Sequence, residues 1–138
     1  MEKFDEALLG GVSPGELIVV IGKPGHGKTS LVQSWTVTLA KQVPSLWFSY
    51  EMLNKPLWNK FVAMGASTKE PIFIPTRNDS GNIEWVTKII EKGIKERGVK
   101  LVVIDHLGYL KPPKGTYSNQ ADAITYTARH LKFLAEKY

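Results

Sequence analysis

The chain has 138 residues, no cysteine, and a formal charge of +5 from 18 Lys and Arg against 13 Asp and Glu. Its length suits one domain with a real core. The lack of cysteine excludes disulfides and thiolate metal sites, and no apolar run is long enough to span a membrane. Lysines spread along the chain read as solvated helix faces, so basic charge alone does not specify a nucleic-acid partner. With no signal-peptide pattern at the start, the cytoplasm is the expected compartment.

In chain order, residues 4–9 suit a short helix or turn ended by Gly10-Gly11, and Ser13-Pro14-Gly15-Glu16 makes a tight turn. Ile18, Val19, Val20 and Ile21 predict a strand buried on both faces. The strand opens into Gly22-Lys23-Pro24-Gly25-His26-Gly27-Lys28-Thr29, which fits the phosphate-loop pattern G-x-x-x-x-G-K-S/T. A helix carrying Leu31, Val32, Trp35, Leu39 and Ala40 follows and runs to about Gln42, where Val43-Pro44 stops it.

Residues 46–51 predict a short aromatic strand ending in Glu51. Leu57, Trp58, Phe61, Val62 and Met64 suit a helix over 55–64 with Gly65 as terminator. A small strand at 72–74 lies between prolines, and Asn78-Asp79-Ser80-Gly81 is a loop. Ile83, Val86, Ile89, Ile90 and Ile94 then recur at helical spacing up to Gly98. Residues 100–105 form the next strand, apolar until Asp105, and Lys111-Pro112-Pro113-Lys114-Gly115 is a loop. A last helical stripe holds Ala121, Ile124, Ala128, Leu131, Leu134 and Ala135. Strands alternating with helices imply parallel pairing and an α/β fold.

The chemistry follows from that order. Triphosphate oxygens need donors at close range, and inward-facing backbone N–H groups of a glycine loop at a helix N-terminus supply them. Residues 22–30 (Gly22, Lys23, Pro24, Gly25, His26, Gly27, Lys28, Thr29 and Ser30) are therefore the candidate nucleotide cradle for ATP. Lys28 reaches the β- and γ-phosphates, and the Thr29 hydroxyl is a candidate Mg²⁺ ligand. Carboxyl ends of parallel strands share one sheet edge, which brings Glu51 and Asp105 to the same place. Four apolar residues before Asp105 have the Walker-B form, whose acid serves the metal. Glu51 is either the base that polarises the attacking water or an exposed acid after a strand.

Four segments carry a family resemblance. Residues 4–31, FDEALLGGVSPGELIVVIGKPGHGKTSL, resemble the opening of RecA-like ATPases. Phe48-Ser49-Tyr50-Glu51-Met52 resembles the F-S-x-E-M element of DnaB-type replicative helicases, and Val103-Ile104-Asp105-His106-Leu107 resembles their I-D-Y-L element. Arg129-His130-Leu131-Lys132-Phe133-Leu134-Ala135 is similar to their R-x-L-K-x-L-A helix. The resemblance implies a P-loop NTPase of the RecA-like type, with a mainly parallel sheet flanked by helices. It assigns Glu51 and Lys28 as catalytic, and Thr29 with Asp105 as the Mg²⁺ pair. It also implies a DNA-replication motor: an ATP-hydrolysing, ring-shaped hexamer that travels on single-stranded DNA.

Two departures qualify it. Gly108 stands where these helicases usually carry glutamine. The family core also continues beyond the R-x-L-K helix, with a strand that lies between the phosphate-loop and Walker-B strands. Residues 1–138 are thus expected to be a single, partial RecA-like domain with a gap in its sheet. The alternatives are a RecA- or KaiC-like ATPase of recombination or signalling, or a nucleotide-binding module without turnover. Lys111, Lys114 and Tyr117, in the loop after the Walker-B strand, are candidate DNA contacts or a solvated loop. His26 and His106 read as positional variants, and Trp35, Trp47, Trp58 and Trp85 as core or interface.

Overall fold

The computed structural model describes residues 11–76 and 81–138. The helix or turn expected at 4–9 and the loop residues 78–80 lie outside them. Three parallel strands make the sheet: β1 (Ser45–Ser49), β2 (Ile72–Phe73) and β3 (Leu101–Asp105), in the order β2-β1-β3. Along β1 and β3 the register runs from Ser45 opposite Leu101 to Ser49 opposite Asp105. Among the described residues four α-helices accompany the strands: α1 (Lys28–Leu39), α2 (Asn54–Ala63), α3 (Ile83–Arg97) and α4 (Gln120–Lys137). The result is the expected α/β fold of the RecA-like phosphate-loop type.

Every residue of the central strand β1 is buried. Because successive side chains point to opposite faces, Leu46 and Phe48 enter one core and Trp47 the other. The first core gathers Val86, Ile90, Leu131 and Leu134 from α3 and α4. The second gathers Leu57 and Phe61 from α2 with Ala40 beside α1. Trp47 meets Phe61 edge to face at 5.1 Å, and its indole N–H donates to Thr36 Oγ1 at 3.1 Å. Trp47 is thus core, as expected, while Trp58 and Trp85 pack half-buried against the two clusters.

Two helices start and stop where the local chemistry dictates. Asn82 caps α3 by accepting from the Glu84 and Trp85 amides at 2.8 and 3.3 Å, which satisfies N–H groups that have no partner within the helix. Gly98 ends it in the left-handed conformation at φ 63°. Asn119 caps α4 by accepting from the Asp122 amide at 2.9 Å. Lys132 ties α4 to the turn at 13–16, donating to the Gly15 carbonyl at 2.7 Å. His130 Nε2 lies 2.8 Å from Thr87 Oγ1 and joins α4 to α3.

Two expectations need correction. Residues 18–21 do not form a buried strand: Ile18, Val19 and Ile21 are 44%, 58% and 90% exposed. The physical reason is pairing. Residues 17–22 make no backbone hydrogen bond to another described backbone group, and β3 pairs only with β1. An apolar run becomes a strand only where a neighbour supplies its ladder. The second correction concerns α1, whose fully buried residues are Gln33 and Thr36, with Leu31 at 44% exposure. Gln33 Nε2 donates to the Leu57 carbonyl at 3.4 Å, and Thr36 both donates to Val32 O and accepts from Trp47. Hydrogen bonds make a polar face buriable, and a hydrophobic pattern cannot register that.

Candidate nucleotide site

Residues 22–27 turn from the unpaired segment into α1. Gly25 and Gly27 sit at φ 76° and 80°, a region that L-residues with a Cβ enter only at a cost. Gly27 is the N-cap of α1, with no side-chain cap and no acid in the first turn. The first amides of α1 thus have no capping side chain from the helix itself. Lys28, the first residue of the helix, folds back so that its ammonium donates to the Gly22 and Lys23 carbonyls at 2.8 and 2.9 Å. This holds the cation at the mouth of the loop. His26 is exposed and its amide donates to the Lys23 carbonyl at 3.3 Å.

The phosphate loop and the sheet edge meet at one hydrogen bond. Thr29 Oγ1 donates to Asp105 Oδ2 at 2.8 Å across 76 residues of sequence. Asp105 is the last residue of β3, and Ser49 opposite it is the last of β1. Glu51 lies two residues past the end of β1 rather than at it, because the Tyr50 amide donates to the Asp105 carbonyl at 2.7 Å and the chain then bends away. Its carboxylate Oε1 is 3.3 Å from His106 Nε2. Thr29 of the loop and Asp105 at the end of β3 thereby meet, with Lys28 beside Thr29 in sequence and Glu51 on the segment that follows β1.

A hydroxyl and a carboxylate oxygen side by side are a hard-donor pair suited to Mg²⁺, which prefers a few protein oxygens together with phosphate and water. The residues present therefore fit that ion.

Behind Asp105 the chain is braced by aromatic rings. The Asp105–His106 peptide is cis, and a 3₁₀ turn spans Leu107–Tyr109. Tyr109 lies edge-on to His106 at 4.9 Å and stacks on Tyr50 at 5.9 Å. Burial pushes the Tyr50 phenol up to about 12, and its hydroxyl has no hydrogen-bond partner among the described residues. The segment after the turn is stitched to the start of α3: the Lys111 amide donates to Gly81 O at 2.8 Å, and the Ile83 amide to Lys111 O at 3.2 Å.

Of the candidate DNA contacts, Lys111 is thus fixed by its backbone, with an exposed side chain. Lys114 and Tyr117 lie on the exposed loop that follows, outside the cluster around Asp105. The contact of His106 with Glu51 was not foreseen from the sequence. The signal for it was His106, where the I-D-Y-L element has Tyr, together with Gly108, both close to the Walker-B acid.

A parallel sheet, a glycine loop feeding a helix N-terminus, and an acid ending the neighbouring strand define the RecA-like class of phosphate-loop α/β folds. The profile of the family described as DnaB-like helicase C terminal domain matches residues 1–70. The chain belongs to that family. Among similar proteins, the replicative DNA helicase DnaB of Mycoplasma genitalium is 26% identical over 166 residues, covering 99% of this chain. The DNA repair protein RadA of Escherichia coli is 30% identical over 140 residues, covering 95% of it. The chain spans 35% of the length of the first and 28% of the second.

Proposed function

We propose that residues 1–138 are a single, partial motor domain of a DnaB-like DNA helicase, which binds and hydrolyses ATP in DNA replication. The observation that carries this reading is the Thr29–Asp105 hydrogen bond of 2.8 Å, in a chain that matches the DnaB-like C-terminal family. Residues 22–30 wrap the phosphates through their backbone amides, and Lys28 exchanges its loop carbonyls for β- and γ-phosphate oxygens. Thr29 and Asp105 hold Mg²⁺, which when bound supplies charge neutralisation on the phosphate oxygens. Glu51 orients the attacking water and accepts its proton as the water oxygen bonds to the γ-phosphorus and the bond to the β–γ bridging oxygen breaks, with ADP as the leaving group.

The wider expectations belong to the same reading. The complete protein closes into a ring, a hexamer, and tracks single-stranded DNA. Lys111 and Lys114 contact phosphates, and Tyr117 stacks on a base. The compartment is the cytoplasm. The test is ATP hydrolysis by the full natural protein with and without single-stranded DNA, together with unwinding of a forked duplex. The reading expects stimulated turnover and unwinding, both lost in Lys28→Ala. Unstimulated hydrolysis without unwinding contradicts it.

The identity to a DNA repair protein favours a second reading, an ATPase of the recombination class. Strand exchange, or open filaments in place of closed rings in electron micrographs, would establish that one instead.

A further inference from the structure

We infer that His106 is a positioning residue for Glu51, holding its carboxylate toward the phosphate loop, and that Gly108 exists in this chain to make room for the imidazole. The inference rests on the proposed role of Glu51 in ATP hydrolysis.

The first argument is the tautomer. His106 Nδ1 accepts a hydrogen bond from the Gly108 amide at 3.1 Å. A nitrogen that accepts carries no proton, so in the neutral ring the hydrogen sits on Nε2. That is the nitrogen 3.3 Å from Glu51 Oε1. The backbone of the 3₁₀ turn therefore leaves the protonated nitrogen on the side of the ring nearest the carboxylate, at ion-pair distance, without any need for the ring to be charged.

The second argument is rigidity. A donor orients its acceptor only if it is itself held. The His106 ring is fixed on one side by the Gly108 amide and on another by Tyr109, which is in turn stacked on Tyr50. Tyr50 and Glu51 are consecutive, so the same segment that carries the carboxylate also carries one of the rings that brace its partner. Glu51 has an exposed, unbranched side chain, and among the described residues the His106 ring is what lies beside its carboxylate.

The third argument is space. A Cβ placed on Gly108 would lie 2.9 Å from Cε1 and 3.1 Å from Nδ1 of His106. Any side chain at 108 must push the ring off its seat, so His106 and Gly108 form one unit. His106 directly follows Asp105 and caps the 3₁₀ turn that holds Gly108, so one short segment, 105–108, links the metal-side acid to the water-side acid.

The test is steady-state ATP hydrolysis by the full natural protein, on single-stranded DNA, in four variants. His106→Phe keeps a ring against Tyr109 but removes the donor; kcat falls by about 10- to 100-fold, the scale of a misaligned reacting group, while KM for ATP stays within about twofold. His106→Gln returns an N–H at nearly the Nε2 position and recovers most of the lost kcat. Gly108→Ala displaces the ring and behaves like His106→Phe. Glu51→Gln abolishes turnover and serves as the reference. Wild-type kcat in His106→Phe while Glu51→Gln is inactive overturns the inference and leaves the Glu51 reading intact. Loss in His106→Phe with no recovery in His106→Gln also overturns it, because the ring then acts through shape alone. Full turnover in Glu51→Gln overturns the underlying reading, and the inference with it.

Discussion

Replacing Gly81 by Ala should unseat the segment that braces the candidate site. Gly81 has φ 73°, and a Cβ built there would lie 2.0 Å from the Tyr109 carbonyl oxygen and 2.9 Å from its carbon. An ordinary contact is ~3.5 Å, and the obstacle is backbone, so the strands of chain at 81–83 and 109–111 must separate. Their two hydrogen bonds, Lys111 N–H to Gly81 O and Ile83 N–H to Lys111 O, are worth about 1 kcal/mol each. Left-handed alanine adds roughly 1–2 kcal/mol. The sum is about 3–4 kcal/mol, which at a urea slope of about 2 kcal/mol/M moves the unfolding midpoint down by about 1.5–2 M.

Gly115→Ala is the control, since Gly115 has φ 86° but no heavy atom within 4 Å of the built Cβ. It should lose only the left-handed cost, about 1–2 kcal/mol. Equal midpoints for the two variants would refute the reasoning, because the close approach to Tyr109 would then count for nothing.

Other outcomes follow from the core and the brace. Trp47→Ala removes a fully buried ring at the centre of the sheet and should cost about 3–5 kcal/mol in thermal or urea unfolding. Trp47→Phe keeps the contact with Phe61 but strands Thr36, so its loss should be smaller, about 1–2 kcal/mol. Tyr50 gives a pH signature. Its phenol resists ionisation up to about 12 in the folded chain against an ordinary value of 10.0. The unfolded chain therefore releases that proton first, and stability present below pH 10 falls as pH rises toward 12. Unfolding midpoints measured across that range should fall less steeply in Tyr50→Phe.

What could be read from the sequence depended on whether a residue's partner was local. Asn82 and Gly98 bracket α3 by chemistry that lies within four residues, and the apolar spacing of Ile83, Val86 and Ile90 named its buried face correctly. Asp105 was placed at the end of β3 by a general property of parallel sheets and meets Thr29, whereas Glu51 lies two residues beyond β1. The failures are non-local. Ile18, Val19, Val20 and Ile21 have strand composition, yet strand structure needs a neighbouring ladder that no described segment gives them. Gln33 and Thr36 are buried because Leu57 O and Trp47 Nε1 happen to face them, which a hydrophobic stripe cannot encode. His106 looked like a variant in isolation; its meaning lies in the carboxylate opposite, brought there by the β1–β3 register.

The central claim is that the glycine loop, Asp105 and Glu51 serve one ATP site in which binding and turnover are separable. Equilibrium binding of ATP and release of phosphate, measured side by side on the full natural protein, test it most directly. Lys28→Ala should lose both, whereas Glu51→Gln should bind ATP like the wild type and release no phosphate. Tight binding in Lys28→Ala, or undiminished phosphate release in Glu51→Gln, would contradict it.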